Sequence, residues 1–182
     1  MRYRLRPAAF ALLALACLAP HAAAQSSKRD HLTAQEIEVV RDAQELDART
    51  SVFIKAVERR MRIILNQPAP DSKQEKQIAE ALGALPTGSH ADLFYDIAHI
   101  LDEAIENVDD TAQHNPKSPL LAKSVRKLSD ASERFAAQLV PLRSTVADKA
   151  EREQLEQALD NLQQIINAAK KLPAEEKPVK KN

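Results

Sequence analysis

Cysteine is scarce in this chain of 182 residues, with Cys17 its single example. Everything after it lacks both a disulfide staple and a thiol for redox, nucleophilic or metal chemistry. Glycine is nearly as rare. Gly83 and Gly88, on either side of Pro86, are the two present, so the clustered glycines of a Walker or dinucleotide phosphate loop are missing, as is the G-x-S-x-G elbow of serine hydrolases. Tryptophan is absent, and so are the alternating apolar runs that mark strands. No C-x-x-C-H motif offers covalent haem attachment. Lysine and arginine are missing from residues 77–116. Long hydrophobic runs are lacking too: the most apolar stretch, Ala8 to Leu18, is about half the ~20 residues a membrane-spanning helix needs.

That stretch follows Arg2, Arg4 and Arg6 and precedes Ala22, Ala23, Ala24 and Gln25. A basic start, an apolar middle and an A-x-A end make the plan of a secretory signal peptide, so residues 1–24 are read as a cleaved signal and the mature chain as exported, periplasmic or secreted. Lipid attachment at Cys17 is the alternative, although Ala14, Leu15 and Ala16 fit a lipoprotein signal poorly. The 158 residues from Gln25 onward suffice for one domain. The whole chain has 26 basic and 26 acidic side chains, and removing the three signal arginines leaves 23 against 26. No basic footprint for nucleic acid results.

Ala, Leu, Ile, Glu, Gln, Lys and Arg dominate the remainder, which favours helix, and the spacing predicts an all-α, up-down four-helix bundle with one extra short connector helix. The first long helix is expected from Thr33, whose T-A-Q-E forms a capping box with Glu36, to Asn66 before Pro68 and Pro70. Val39, Ala43, Leu46, Thr50, Phe53, Val57 and Ile64 form its seam, and Arg60 interrupts it. Residues 71–85 read as the connector, with Ile78, Leu82 and Leu85 on its buried side.

Ser89 and Asp92 start the next helix, with Phe94, Ile97, Leu101, Ala104 and Val108 inward. Ser118 and Pro119 open another, with Leu121, Val125, Leu128, Ser132, Phe135, Leu139 and Leu142 inward and Pro141 near its end. The last runs from about Val146 to Lys171, with Leu155, Leu159, Leu162, Ile166 and Ala169 inward. The bundle domain is thus placed at residues 25–172, and residues 173–182, rich in proline and charge, read as a disordered tail. Short turns predict that sequential helices pack as antiparallel neighbours in a coiled-coil-like bundle.

Charge is distributed unevenly. Residues 77–116 carry eight carboxylates and no lysine or arginine. At about 100° per residue, Asp92, Asp96, His99, Glu103, Glu106 and Asp110 fall opposite the seam of their helix and read as an outward stripe. In the expected hairpin, Glu103 would face Lys127. Either the stripe is a solvated face with weak ion pairs, or it docks a basic partner or loosely held divalent cations. Conversely, Arg59, Arg60 and Arg62 with Lys55 make a basic, apolar segment. It suits a core helix with snorkelling arginines, or, as the alternative, peripheral contact with an anionic membrane.

The D-x-x-H of Asp96 and His99 is the nearest match to a bundle metal motif and points outward on the helical wheel, while His31, His90 and His114 fall near helix ends. No metal, cofactor or catalytic residue is therefore assigned. The expected function is that of a non-catalytic interaction or structural protein of the cell envelope, binding another envelope protein or its own copy. A periplasmic bundle that binds a small ligand or metal is the alternative, followed by an enzyme.

Overall fold

A computed structural model describes residues 29–68 and 72–173. The expected signal peptide, Cys17 and the expected tail beyond Pro173 lie outside the described residues. Among those described, every regular element is helical: α1 (Ala34–Asp42), α2 (Leu46–Ile64), α3 (Lys73–Ala81), α4 (His90–His114), α5 (Pro119–Leu139) with a 3-10 turn (Val140–Ser144), and α6 (Lys149–Ala169). The all-α expectation holds.

Local chemistry sets most of these boundaries. Thr33 and Glu36 form the capping box of α1, and Ser89 and Asp92 that of α4, each satisfying two amide hydrogens at a helix start. Ser118 caps α5 with Pro119 in its first turn. At the end of α2, Asn66 takes a positive φ of 51°, its amide donates to the Ile63 carbonyl at 3.1 Å, and the Gln67 amide donates to that of Arg62 at 2.9 Å. This is the paired arrangement of a Schellman cap, in a residue type that tolerates left-handed geometry.

The first expected long helix is in fact two. The chain leaves helix at residues 43–45, where neither proline nor glycine breaks it. The reason is tertiary. Glu36 and Arg60 would lie about 36 Å apart on one straight helix, yet Arg60 Nη1 donates to Glu36 Oε1 at 2.7 Å. Only a chain that reverses between them can make that bond, and Arg49 Nε stabilises the reversal by donating to the Ala43 carbonyl at 3.0 Å.

Packing among the long helices also departs from expectation. α2 lies against α4 and α5, α6 lies against the same two, and α4 and α5 touch little. Paired residues give the directions. Arg49 with Asn107 and Arg60 with Asp96 make α2 and α4 antiparallel. Asp47 with Lys127 and Gln67 with Gln138 make α2 and α5 parallel. His90 with Glu151 and Ala98 with Asn161 make α4 and α6 parallel.

Sequential α4 and α5 are consequently diagonal across the ring, not neighbours. The expected pairing of Glu103 with Lys127 therefore does not form: Lys127 Nζ sits 2.7 Å from Asp47 Oδ1, and Glu103 Oε2 sits 2.9 Å from His31 Nε2.

Most seam residues of the four long helices meet as the spacing predicts, while Val39, Ala43, Leu121 and Ala169 are only half-buried. Phe53, Val57, Phe94, Ile97, Leu101, Leu128, Phe135, Leu155 and Leu162 are all buried in one core. Ser132 is buried among them, its hydroxyl donating to the Leu128 carbonyl at 2.8 Å. In the connector, Leu82 is buried but Leu85 is exposed, because α3 ends at Ala81 and the chain beyond Gly83, with a φ of 71°, no longer follows a helical face.

Candidate functional site

Charged side chains converge where α1 folds back on α2. Glu36 and Arg60 are 0% and 1% exposed, Asp96 is 1% and Arg59 is 6%. Arg60 is the hub: besides Glu36, its Nη1 donates to the Ala56 carbonyl at 3.0 Å, its Nη2 donates to the His31 carbonyl at 2.7 Å, and its Nε lies 3.4 Å from Asp96 Oδ2. Arg29 closes the other side of Asp96, donating through Nε at 2.8 Å and Nη2 at 3.0 Å. Such a two-pronged guanidinium–carboxylate contact is among the stronger ion pairs. The hydrogen bond to Asp96 holds the Arg29 guanidinium above its ordinary value, against a smaller opposing effect of burial.

Arg59 leans away from this hub toward α3. Its Nη2 donates to the carbonyls of Gly83 and Ala84, an approach made possible by the turn at Gly83. Its Nε lies 3.3 Å from Glu36 Oε1, yet neither Nε nor Nη1 finds a hydrogen-bond acceptor among the described residues. Burial lowers the Arg59 guanidinium from its ordinary value, Glu36 opposes that, and Arg60 and Arg62 add to it. Three guanidinium groups against two carboxylates leave the cluster with one excess positive charge, and the donors without acceptors among the described residues are Nε and Nη1 of Arg59 and Nε of Arg60.

The predicted outward stripe is divided by this arrangement. Asp96 does not point outward; it is buried, because the segment from Arg29 to Glu36 covers the first half of α4. Asp92 is spent on its capping box, accepting from the Ser89 amide at 2.9 Å and its hydroxyl at 2.8 Å. Those hydrogen bonds hold its carboxyl below the ordinary aspartate value. His99 is half-buried, stacked on Tyr95 with ring centroids 3.9 Å apart. Glu103 is half-buried beside His31. Glu106 and Asp110 are exposed, and so is Asp109, which the stripe had omitted.

Beside these last acids, Ile105, Val108, Val125, Leu128 and Ile165 line an apolar dent of about 70 Å³ where α4, α5 and α6 meet, with Asp109 in its wall. Among the described residues, the Asp110 side chain pairs only with His114, on its own helix, at 3.1 Å. No lysine or arginine among the described residues pairs with Glu106, Asp109 or Asp110.

Arg59 and Arg60 are likewise not placed for peripheral membrane contact, since both are enclosed by α1, α4 and the turn after α3. Nor do their heads snorkel to water; they end in ion pairs and carbonyls. No helix among the described residues is long and apolar enough to cross a membrane, and no group of three or more His, Cys, Asp or Glu among them is placed to hold a metal ion.

Sequence reasoning missed Arg29 and saw Glu36 only as a cap. One signal was present: an arginine on a helix seam requires a buried carboxylate near it. No protein-family model, curated protein or solved structure matches this chain.

Proposed function

We propose that this chain is an exported, non-catalytic interaction protein of the cell envelope, built as an up-down four-helix bundle of α2, α4, α5 and α6 with α3 as a short connector. Export rests on the basic start, apolar middle and A-x-A end of residues 1–24. The interaction reading rests above all on the second half of α4, where Glu106, Asp109 and Asp110 stand exposed beside an apolar dent. A partner offering a cation next to a small apolar side chain would satisfy both parts. The carboxylates Asp96 and Glu36 contribute in another way: they are consumed in the ion pairs that tie α1 and α4 to α2.

The experiment must therefore spare Asp96, whose loss would test the fold and not a docking face. Glu106, Asp109 and Asp110 changed together to Lys should abolish co-purification of a partner from envelope fractions, with helicity unchanged by circular dichroism. Asp130→Lys, at another exposed position, should leave it intact. Recovery of the same partner by the triple variant sinks the reading. A second reading, small-ligand binding, is favoured by a cavity beside Arg59.

A further inference from the structure

At the end of the molecule away from the acidic dent, α2, α3 and α5 line an open cavity of about 340 Å³. It lies about 10 Å farther along α5, at Arg134 and Phe135 instead of Val125 and Leu128. Its wall combines two chemistries. Among the described residues, Lys55, Arg59, Arg62 and Arg134 are four cations against the one carboxylate of Glu58, while Ile78, Leu82 and Phe135 supply an apolar surface.

Part of the positive charge is already answered. Lys55 Nζ lies 2.6 Å from Glu58 Oε2, and Arg134 Nη2 lies 3.8 Å from Glu58 Oε1. Arg59 is answered in part, its Nε 3.3 Å from Glu36 Oε1, whereas Arg62 makes no hydrogen bond or ion pair among the described residues. Arg59 Nε and Nη1 are shut off from solvent, so an anion in the cavity would meet Arg59 through its charge and would find free hydrogen-bond donors on Arg62. The Gly83 and Ala84 carbonyls, by accepting from Nη2, hold the Arg59 head in place before any ligand arrives.

We propose that this cavity binds a small amphipathic organic anion, with its charged head on Arg62, in the field of Arg59, and its apolar body against Ile78, Leu82 and Phe135. At about 30 Å³ per water-sized group, the space admits roughly ten non-hydrogen atoms, the size of a medium-chain carboxylate. The inference is independent of the acidic dent, which lies on other surfaces of the bundle.

Titration calorimetry of the purified protein with sodium octanoate tests it, with octanol as the uncharged counterpart and inorganic phosphate as the anion without a tail. Octanoate should bind at one site per chain, and each of the other two should bind at least about tenfold more weakly. Arg62→Gln should weaken octanoate about tenfold or more, the scale of one lost charge-assisted hydrogen bond, with thermal unfolding unchanged. Glu58→Gln, which removes the competing carboxylate, should tighten it a few-fold, an effect that a merely structural role does not predict. Failure of octanoate to bind, or equal binding by octanol, overturns the proposal. So does equal binding by phosphate, or octanoate affinity indifferent to Arg62→Gln.

Discussion

Asp96 and Asp110 lie on the same helix, on the same nominal face and in the same run without lysine or arginine, yet one is buried between two arginines and the other stands in water. The difference comes from what lies over them. Residues 29–36 fold across the first half of α4 and bring Arg29 and the His31 carbonyl with them, whereas nothing among the described residues covers the last turns. A helical wheel describes the periodicity of one helix and has no information about a segment more than sixty residues away. Buried carboxylates of this kind require partners, and here the partners arrive together with the cover.

The largest expected effect contrasts these two positions directly. Asp96→Asn leaves Arg60 and Arg29 facing a neutral amide in a buried site, and should destabilise the fold by about 3–5 kcal/mol, lowering the midpoint of thermal unfolding by roughly 10 °C or more. Asp110→Asn should change stability by less than about 0.5 kcal/mol. Similar losses at both would show that Asp96 is not an enclosed ion-pair partner.

A smaller effect sharpens the role of the cover itself. Glu36→Gln and Arg60→Gln should each destabilise, and the double variant should lose less than their sum by about 1–3 kcal/mol, because the two side chains share one contact at 2.7 Å. Additive losses in chemical denaturation would separate them. If they are coupled, the reversal at residues 43–45 is held by this pair and not by any local breaker.

The smallest effect concerns the first member of the stripe, Asp92. Its folded-state carboxyl is held below the ordinary aspartate value by the Ser89 hydrogen bonds. Its contribution to stability is therefore full above the unfolded value of about 3.9, and is lost as pH falls through the lowered folded value. Thermal unfolding followed from pH 5 down to pH 2 should show a decline that is shallower in Asp92→Asn than in the unaltered chain. An identical slope in the two would remove Asp92 from the acid response.

Much of this was legible in the chain because its causes are short-ranged. Thr33 with Glu36, Ser89 with Asp92, and Ser118 with Pro119 are caps completed within three residues, and Pro68 stands just beyond the Asn66 cap. Helical periodicity likewise placed Phe94, Ile97, Leu128 and Leu162 in the core. The candidate sites were less legible. Arg60 stood out on its seam, but its acids are 24 and 36 residues away in sequence, and neither distance nor direction in space follows from local spacing. Arg59 and Arg62 were read as a basic stretch, with no indication that Ile78, Leu82 and Phe135 would complete a cavity around them.

By itself, then, the sequence determined the helical character of this protein, most of its helix ends and the residues that form the seams, since hydrogen bonds to the fourth residue back and a period of 3.6 act within a turn or two. Tertiary structure alone decided that α1 turns back onto α2, that α4 and α5 sit diagonally, and that Asp96 is buried while Glu106 and Asp110 are not. The fold-back of α1 and the burial of Asp96 depend on buried charge finding a countercharge across 24 to 67 residues of chain. That requirement is met only when the whole bundle assembles.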